Sequence, residues 1–438
     1  MKPSSEQLPP PTAFIQLSRI RPPLIQFAIV CSILFIALGL IAYGRGYRID
    51  INNKSLTPTG LLVATSDPTG SELLVDNKLI TATNATINLA PNWYTIKILK
   101  EGFIPWEKKI RVQGEIIARA DATLFPSNPS LATITTTGVS HPSVSPDGTK
   151  LAFIVPNGAN ASDSARLDEK RAGIYVLDLV DKPLSLLNRD ARRIVSNEIL
   201  DWSNALLTWS PDAKQLLISH FPNPQSPIAN LFLLDSDKTN DTPRPIFNKN
   251  VLMAEWEELE KTKRKVKIGG LKESLLHVAT SSMNIISFSP DETKILYEAS
   301  ISGTIPQIIK PSLIGTNPTK EDRNLLPKHL YVYDIKEDKN YPISFIADTK
   351  TNQKIPRSMS EAKSEVGHWL PTSLHLVVAT PKGIDIMEYD GGNRATVYAG
   401  PFLDGFVTPW ATGMKLVILT NLNPTASSLP NLYSVNLR

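Results

Sequence analysis

Residue types able to do chemistry are present in this chain, but not at the spacings that chemistry needs. Six histidines (His141, His220, His277, His329, His368 and His375) are scattered, with no His-x3-His or Glu-linked pair to hold zinc. No Gly-x-Ser-x-Gly elbow presents a nucleophilic serine, and no glycine-rich loop is built to cradle phosphate. Three aspartates recur in one context: Ser145-Pro146-Asp147, Ser210-Pro211-Asp212 and Ser289-Pro290-Asp291. Calcium would need several carboxylates close together. Proline followed by aspartate is instead the chemistry of a tight turn. No residue is therefore assigned a catalytic, cofactor-binding or metal-binding role, and the chain reads as a non-enzyme. An enzyme that cleaves glycans with carboxylates scattered over a repeat fold leaves no spacing signature, so it stays open as an alternative. Two tryptophans, Trp106 and Trp256, are candidates for contact with a partner.

The elements that position these residues come back as a repeat. An apolar run leads into Ser-Pro-Asp, and a few polar residues lead into a second run, such as Leu151-Ala152-Phe153-Ile154-Val155 or Leu216-Leu217-Ile218. A third run ends in a polar residue: Ile174 to Asp178, Leu231 to Asp235, Leu330 to Asp334. Two degenerate copies begin at Trp369-Leu370-Pro371 and Thr408-Pro409-Trp410. At least five units are visible. The intervals between their prolines (Pro146, Pro211, Pro290, Pro371) are uneven and exceed the roughly 40 to 50 residues of one propeller blade. Inserted loops or a hidden blade would account for this, and Ala132 to Val139 and Ile194 to Asp201 are candidate extra strands. The motif Ser-Pro-Asp-Gly-x-Lys, followed by a Tyr-Val-x-Asp strand, resembles the TolB-like and WD40-like propeller repeat. That resemblance implies a β-propeller of five or six blades over 131–438.

Composition sets wider bounds. The 438 residues have room for two or three domains. Lys and Arg total 46 against 42 Asp and Glu, too even a balance to argue for nucleic acid. Cys31 is the single cysteine, so no intrachain disulfide forms. The apolar run around Cys31 continues to Ala42, which is not the pattern of a lipid attachment site.

Leu24 to Tyr43 holds only Gln26 and Ser32 as clearly polar residues. Twenty helical residues at about 1.5 Å each match the bilayer core, so 24–43 is expected to form a single transmembrane helix. The flank Ala42-Tyr43-Gly44-Arg45 is a poor signal-peptidase site. Arg19 and Arg21 before the run balance Arg45 and Arg48 after it, so charge alone leaves orientation open. The expectation is a short cytoplasmic tail, 1–23, with the large body extracytoplasmic. Ala28 and Ser32 form a small-xxx-small pair that would suit helix packing.

Residues 60–125 read as a small all-β unit. Strands are expected at Leu61 to Thr65, Glu72 to Asp76, Tyr94 to Leu99, Lys109 to Val112 and Ala118 to Leu124, with a turn at Asp67-Pro68-Thr69-Gly70. Pro68-x-Gly70-x4-Val75-Asp76 is followed by Leu89-x-Pro91-x2-Tyr94-x-Ile96-x-Ile98-x-Lys100-x-Gly102-Phe103. Together they resemble the PEGA domain, although Pro68-Thr69-Gly70-Ser71 departs from its namesake tetrapeptide and Asn92-Trp93 replaces the usual glycine. PEGA domains are sandwich-like modules of bacterial surface proteins, so the resemblance implies an extracytoplasmic spacer or adhesive module without catalysis. Gly102, Phe103 and Trp106 read as turn and core residues, with a ligand-stacking surface as the alternative.

Between the second and third repeats, 251–281 reads as a helical insertion. Glu257 with Lys261, and Glu260 with Arg264, have the i,i+4 spacing of a solvated helix. A docking arm anchored by Trp256 is the alternative. The whole is expected to be all-β: a transmembrane helix, a PEGA-like β-sandwich and a propeller. The expected function is non-catalytic binding or scaffolding in the cell envelope, toward an envelope protein or a cell-wall polysaccharide, with no cofactor and no nucleic acid. The alternatives are a propeller enzyme acting on envelope glycans and a TolB-like partner of an envelope trafficking system.

Overall fold

The computed structural model describes residues 22–44, 47–50, 55–157, 171–181, 191–198, 200–222, 228–344, 367–403, 405–422 and 429–438. Most of the expected tail 1–23 lies outside them. Among the described residues the fold is mostly β, with three helices. The first, α1, runs Pro22–Gly44. Its apolar side chains are exposed, Phe35 being 82% exposed and Phe27 68%. Helix thus forms where a membrane span is expected over 24–43. Among the described residues, however, no helix is long and apolar enough to cross a membrane. The exposure of α1's side chains is described from Gln26 to Ile41 and at Gly44.

Residues 60–123 form two facing sheets. One has three strands, in the order Ala85–Leu89, Gly60–Asp67, Ile117–Thr123, the last two parallel. The other has four antiparallel strands, in the order Lys78–Ala82, Glu72–Val75, Asn92–Leu99, Trp106–Val112. Period-2 alternation sends Leu62, Ala64, Leu73, Ile96, Ile98, Ile110 and Val112 into one shared core. Gly60 is required by close approach, since a Cβ there would meet the Gln113 carbonyl oxygen at 2.2 Å.

The rest of the described β structure is two short two-stranded pairs, Tyr47–Asp50 with Ser55–Pro58 and Gly303–Thr304 with Asn324–Leu325, and five four-stranded antiparallel sheets. The first is Ser140–Val144, Lys150–Val155, Gly173–Asp178 and Arg192–Ser196. The second is Ala205–Trp209, Gln215–His220, Asn230–Asp235 and Arg244–Pro245. The third is Met283–Phe288, Lys294–Ala299, Leu330–Asp334 and Lys339–Ile343. The fourth is His368–Trp369, His375–Thr380, Gly383–Glu388 and Ala395–Tyr398. The fifth joins Val407–Pro409, Lys415–Thr420 and Asn431–Asn436 to Leu131–Thr133 from the start of the region. The candidate extra strands complete the first and fifth sheets rather than build another.

Shared apolar clusters join fifth to first, first to second, third to fourth and fourth to fifth. Between second and third stand two helices, α2 (Lys249–Gly269) and α3 (Glu273–Ser282). Asn248 caps α2, its side chain accepting from the Val251 N–H. Trp256 turns inward against Leu217 and Leu233 of the second sheet, while α3 packs Leu275 and Ala279 on the third. Lys263 donates to the Pro211 carbonyl, and Lys267 pairs with Glu292, so α2 ties to both neighbours. Sheet-on-sheet packing is therefore not closed around the set. Glu257 and Lys261 form the expected pair at 2.8 Å. Arg264 departs from the expected pairing with Glu260 and donates to the Ile285 carbonyl instead.

Each Ser-Pro-Asp segment is a turn with the same internal bonds. Ser145 Oγ donates to Asp147 Oδ1 and accepts from the Lys150 N–H, and Asp147 Oδ1 accepts from the Thr149 N–H. Ser210 with Asp212 and Ser289 with Asp291 repeat the pattern. Burial pushes each aspartate pKa up, but these donors outweigh it and hold the carboxyls low, Asp291 at about 2. All three are turn residues.

Candidate functional site in the cleft beside the small sandwich

The edge strand Trp106–Val112 faces two ways. Ile110 and Val112 complete the sandwich core, while Trp106 and Lys108, on the same side of the strand, reach the fourth sheet. There the strand Gly383–Glu388 ends in the turn Tyr389-Asp390-Gly391-Gly392. Lys108 Nζ lies 2.7 Å from Glu388 Oε2 and 2.5 Å from Asp390 Oδ2. Trp106 Nε1–H donates to Glu388 Oε1. The Glu107 N–H donates to Asn393 Oδ1, and Asn393 donates in turn to Glu388.

A third wall comes from the segment between the third sheet's inner strands. Asn317 Nδ2 donates to Asp390 Oδ2 at 2.7 Å and to the Tyr389 hydroxyl at 3.0 Å. Thr319 Oγ1 also donates to Asp390, at 2.6 Å. The Asn317 N–H donates to Glu337 Oε2, and Lys339 Nζ donates to the Asn317 carbonyl. Gly315, at φ +74°, lays this segment against Ile116 of the sandwich, where a Cβ would come within 3.2 Å of the Ile116 side chain.

These walls enclose a half-open cleft of about 510 Å³. Lys108, Glu337, Lys339, His375, Glu388 and Tyr389 line it beside Trp93, Arg111, Leu313 and Ile314. Its volume is that of a small-molecule site. Burial alone would lower the Lys108 pKa, but Glu388 and Asp390 outweigh it and hold the ammonium charged. Burial raises Asp390, yet the Lys108 charge and the Lys108, Thr319 and Asn317 donors hold it below the usual carboxylate range. Burial pushes Glu337 up and Lys339 down. Buried His375 is pushed down to about 4, so it is neutral at pH 7, with its ring edge-on to Phe125 at 5.2 Å.

The comparisons bear on the sandwich first. Its residues 59–128 match the PEGA domain family. Trp106, at 3% exposed, is a buried member of the PEGA core, and Trp256, at 7%, is buried under α2. Both rings are thus occupied within the chain. Gly102 is a turn residue at φ +80°, and Phe103 packs on the PEGA core. Lys100 Nζ donates to the Thr69 carbonyl, fastening the turn that carries the degraded tetrapeptide.

Solved structures similar to the chain include a putative TolB from Agrobacterium tumefaciens, 14% identical, with 66% of this chain and 76% of that chain covered and a TM-score of 0.19. The beta-propeller domain of a Myceliophteria thermophila protein is 12% identical over 69% of this chain and 73% of its own, with a TM-score of 0.18. An acylaminoacyl peptidase of Pyrococcus horikoshii is 12% identical over 89% of this chain and 52% of its own, with a TM-score of 0.19. No curated protein matches the chain in sequence. Among the described residues no three His, Cys, Asp or Glu side chains gather to hold a metal ion.

Sequence reasoning missed Lys108, Asn317, Glu337, Glu388 and Asp390. Their partners lie tens to hundreds of residues away, so no local spacing marks them. The one usable signal was in the PEGA strand, where Lys108 falls on the side of the alternation that otherwise holds Trp106, Ile110 and Val112.

Proposed function

We propose that the protein is a non-catalytic binding or scaffold protein of the cell envelope, held at a membrane by α1. The carrying observation is α1 itself. Phe27, Ile29, Val30, Ile33, Leu34, Phe35, Ile36, Leu38, Leu40 and Ile41 are all exposed, an arrangement that water disfavours and lipid accepts. The run from Leu24 to Tyr43 has no charged residue, and its length suits a bilayer core. A PEGA domain following such a helix supports a module held just off the membrane. The five sheets, read as propeller blades with α2 and α3 wedged between the second and third, supply the body it presents. The body is extracytoplasmic and meets an envelope protein or a cell-wall polysaccharide.

The enzyme reading needs two carboxyl groups free to handle protons. Glu337 and Glu388 both line the cleft, but Glu388 is taken up by Lys108, Trp106 and Asn393, which favours binding over hydrolysis.

Fractionation tests the reading. The full chain should stay in the membrane pellet through an alkaline carbonate wash, and protease added to intact cells should digest the body. Solubilised chain should pellet with purified cell-wall polymer without releasing sugar fragments. Recovery in the soluble fraction would defeat the anchor. Protection from protease would reverse the orientation, and released fragments would make the protein an enzyme.

A further inference from the structure

Trp93 and Arg111 are cross-strand neighbours on the outer side of the PEGA edge, and both line the cleft. Such pairs hold their side chains about 5 Å apart at Cβ. Trp93 is 44% exposed, although tryptophan usually buries, and the Lys109 ammonium sits 5.8 Å from its ring centroid. Neither the Arg111 guanidinium nor the Gln113 amide has a partner among the described residues.

Counted with Asp390, the charges of the cleft balance, but two of its cations stand apart from the carboxylates. Arg119 holds Asp121 with two hydrogen bonds, and Lys108 holds both Glu388 and Asp390. Arg111 and Lys339 remain without a carboxylate within ion-pair distance. The one carboxyl left over, Glu337, accepts from the Asn317 N–H, and burial pushes its pKa up as it pushes the Lys339 pKa down. The cleft of about 510 Å³ thus offers an aromatic face, an unpartnered guanidinium and amide, and the Lys339 ammonium, which donates to the Asn317 carbonyl. An aromatic face suits the apolar side of a sugar ring, and a guanidinium suits a carboxylate or phosphate in bidentate geometry.

We infer that this cleft binds a segment of an anionic glycan, with Trp93 stacking on a sugar ring and Arg111 and Lys339 taking its acidic groups. This deepens the envelope-binding reading and rests on it for the source of the ligand. The acidic group is a phosphodiester or a uronate, which the cleft charges alone do not distinguish.

Titration calorimetry of the full chain in detergent, with four probes, tests the inference: a short poly(glycerol phosphate), an oligogalacturonate, a neutral dextran oligomer and oligoglutamate. At least one of the first two should bind, and which one does names the acidic group. Arg111→Gln and Trp93→Ala should each weaken that binding about tenfold or more. Both side chains are exposed, so an unchanged thermal midpoint will show the variants folded. Raising salt should weaken binding further. Dextran should bind far more weakly. Failure of both anionic glycans to bind, or equal binding by both variants, overturns the inference. Oligoglutamate binding as tightly as the glycans overturns it in favour of a peptide groove. Cell fractionation separates the two readings: a chain that binds the glycan but is not in the envelope defeats the function reading alone. A chain that pellets with wall polymer unaffected by either substitution defeats the cleft assignment alone.

Discussion

Lys108 of the PEGA domain and Asp390 of the fourth sheet meet at 2.5 Å, their side chains 16% and 0% exposed. Glu388 lies 2.7 Å from the same ammonium. A buried pair adds little over apolar packing of the same volume, but removing one partner strands a charge. Lys108→Met should therefore lower unfolding stability by about 3–5 kcal/mol, read from denaturant midpoints. Adding Glu388→Gln and Asp390→Asn should restore most of the loss. A loss in the single variant below about 1 kcal/mol would show that solvent already screens the pair.

The same boundary should be acid-sensitive in two stages. His375 titrates at about 4 in the fold against about 6.5 unfolded, a depressed value. Its contribution is whole above pH 6.5 and is lost as pH falls toward 4, amounting to about 3 kcal/mol. Asp390, also depressed, contributes fully above about pH 4 and loses that contribution below it. Lys108 is raised, so its share is whole below about pH 10.4 and fails only as pH rises through its folded value. Denaturant midpoints of the native chain should fall steeply from pH 6.5 to 4.5. His375→Gln should flatten that interval, and an unchanged slope would remove His375 from the account.

The lysine that ends the first repeated turn links two sheets. Lys150 Nζ donates to the Ala213 carbonyl at 3.1 Å, to Ser236 Oγ at 2.9 Å and to Asp237 Oδ1 at 2.8 Å, all on the second sheet's side. Lys294 in the third sheet points likewise, lying 4.7 Å from the Tyr389 ring centroid. The equivalent position in the second sheet is Gln215, and there α2 intervenes before the third sheet. Lys150→Met should cost about 1–3 kcal/mol, since it removes hydrogen bonds from a charged donor. Gln215→Met should stay within about 0.5 kcal/mol. Equal effects would refute the linking role.

What could be read from the chain alone was what is local. The Ser-Pro-Asp turn closes all its bonds within five residues, so its repetition was visible, and Asp147, Asp212 and Asp291 stand where turn chemistry puts them. Strand Asn92–Leu99 was legible for the same reason, since Tyr94 to Leu99 alternates apolar and polar residues along the chain. The strands Lys78–Ala82 and Ala85–Leu89 were missed. The first is exposed at every position, Leu79 and Ile80 included, so neither burial nor alternation marks it. The cleft was invisible because Lys108, Asn317 and Asp390 meet only after three separate parts of the chain have folded. Trp106 stood out by type, yet its partner, Glu388, lies 282 residues away.

Trp256 offers the sharpest test of how the body holds together. It is the buried residue of α2, seated against Leu217 and Leu233 with Leu252 beside it. The rest of α2 reaches its neighbours through long polar side chains: Lys263 to Pro211, Arg264 to Ile285 and Lys267 to Glu292. Exposed links of that kind contribute about 1 kcal/mol or less each. The ring therefore carries most of the docking, and truncating a buried aromatic costs about 3–5 kcal/mol. Trp256→Ala should release α2 while the five sheets persist, because their shared clusters exclude it. Hydrogen exchange should then rise across 249–269 and stay unchanged in 294–299 and 375–380. Lys263→Ala should leave exchange in α2 nearly as it was. If Trp256→Ala instead raises exchange in every sheet, the helix closes the gap between second and third sheets as an obligatory part of the body rather than as an inserted arm.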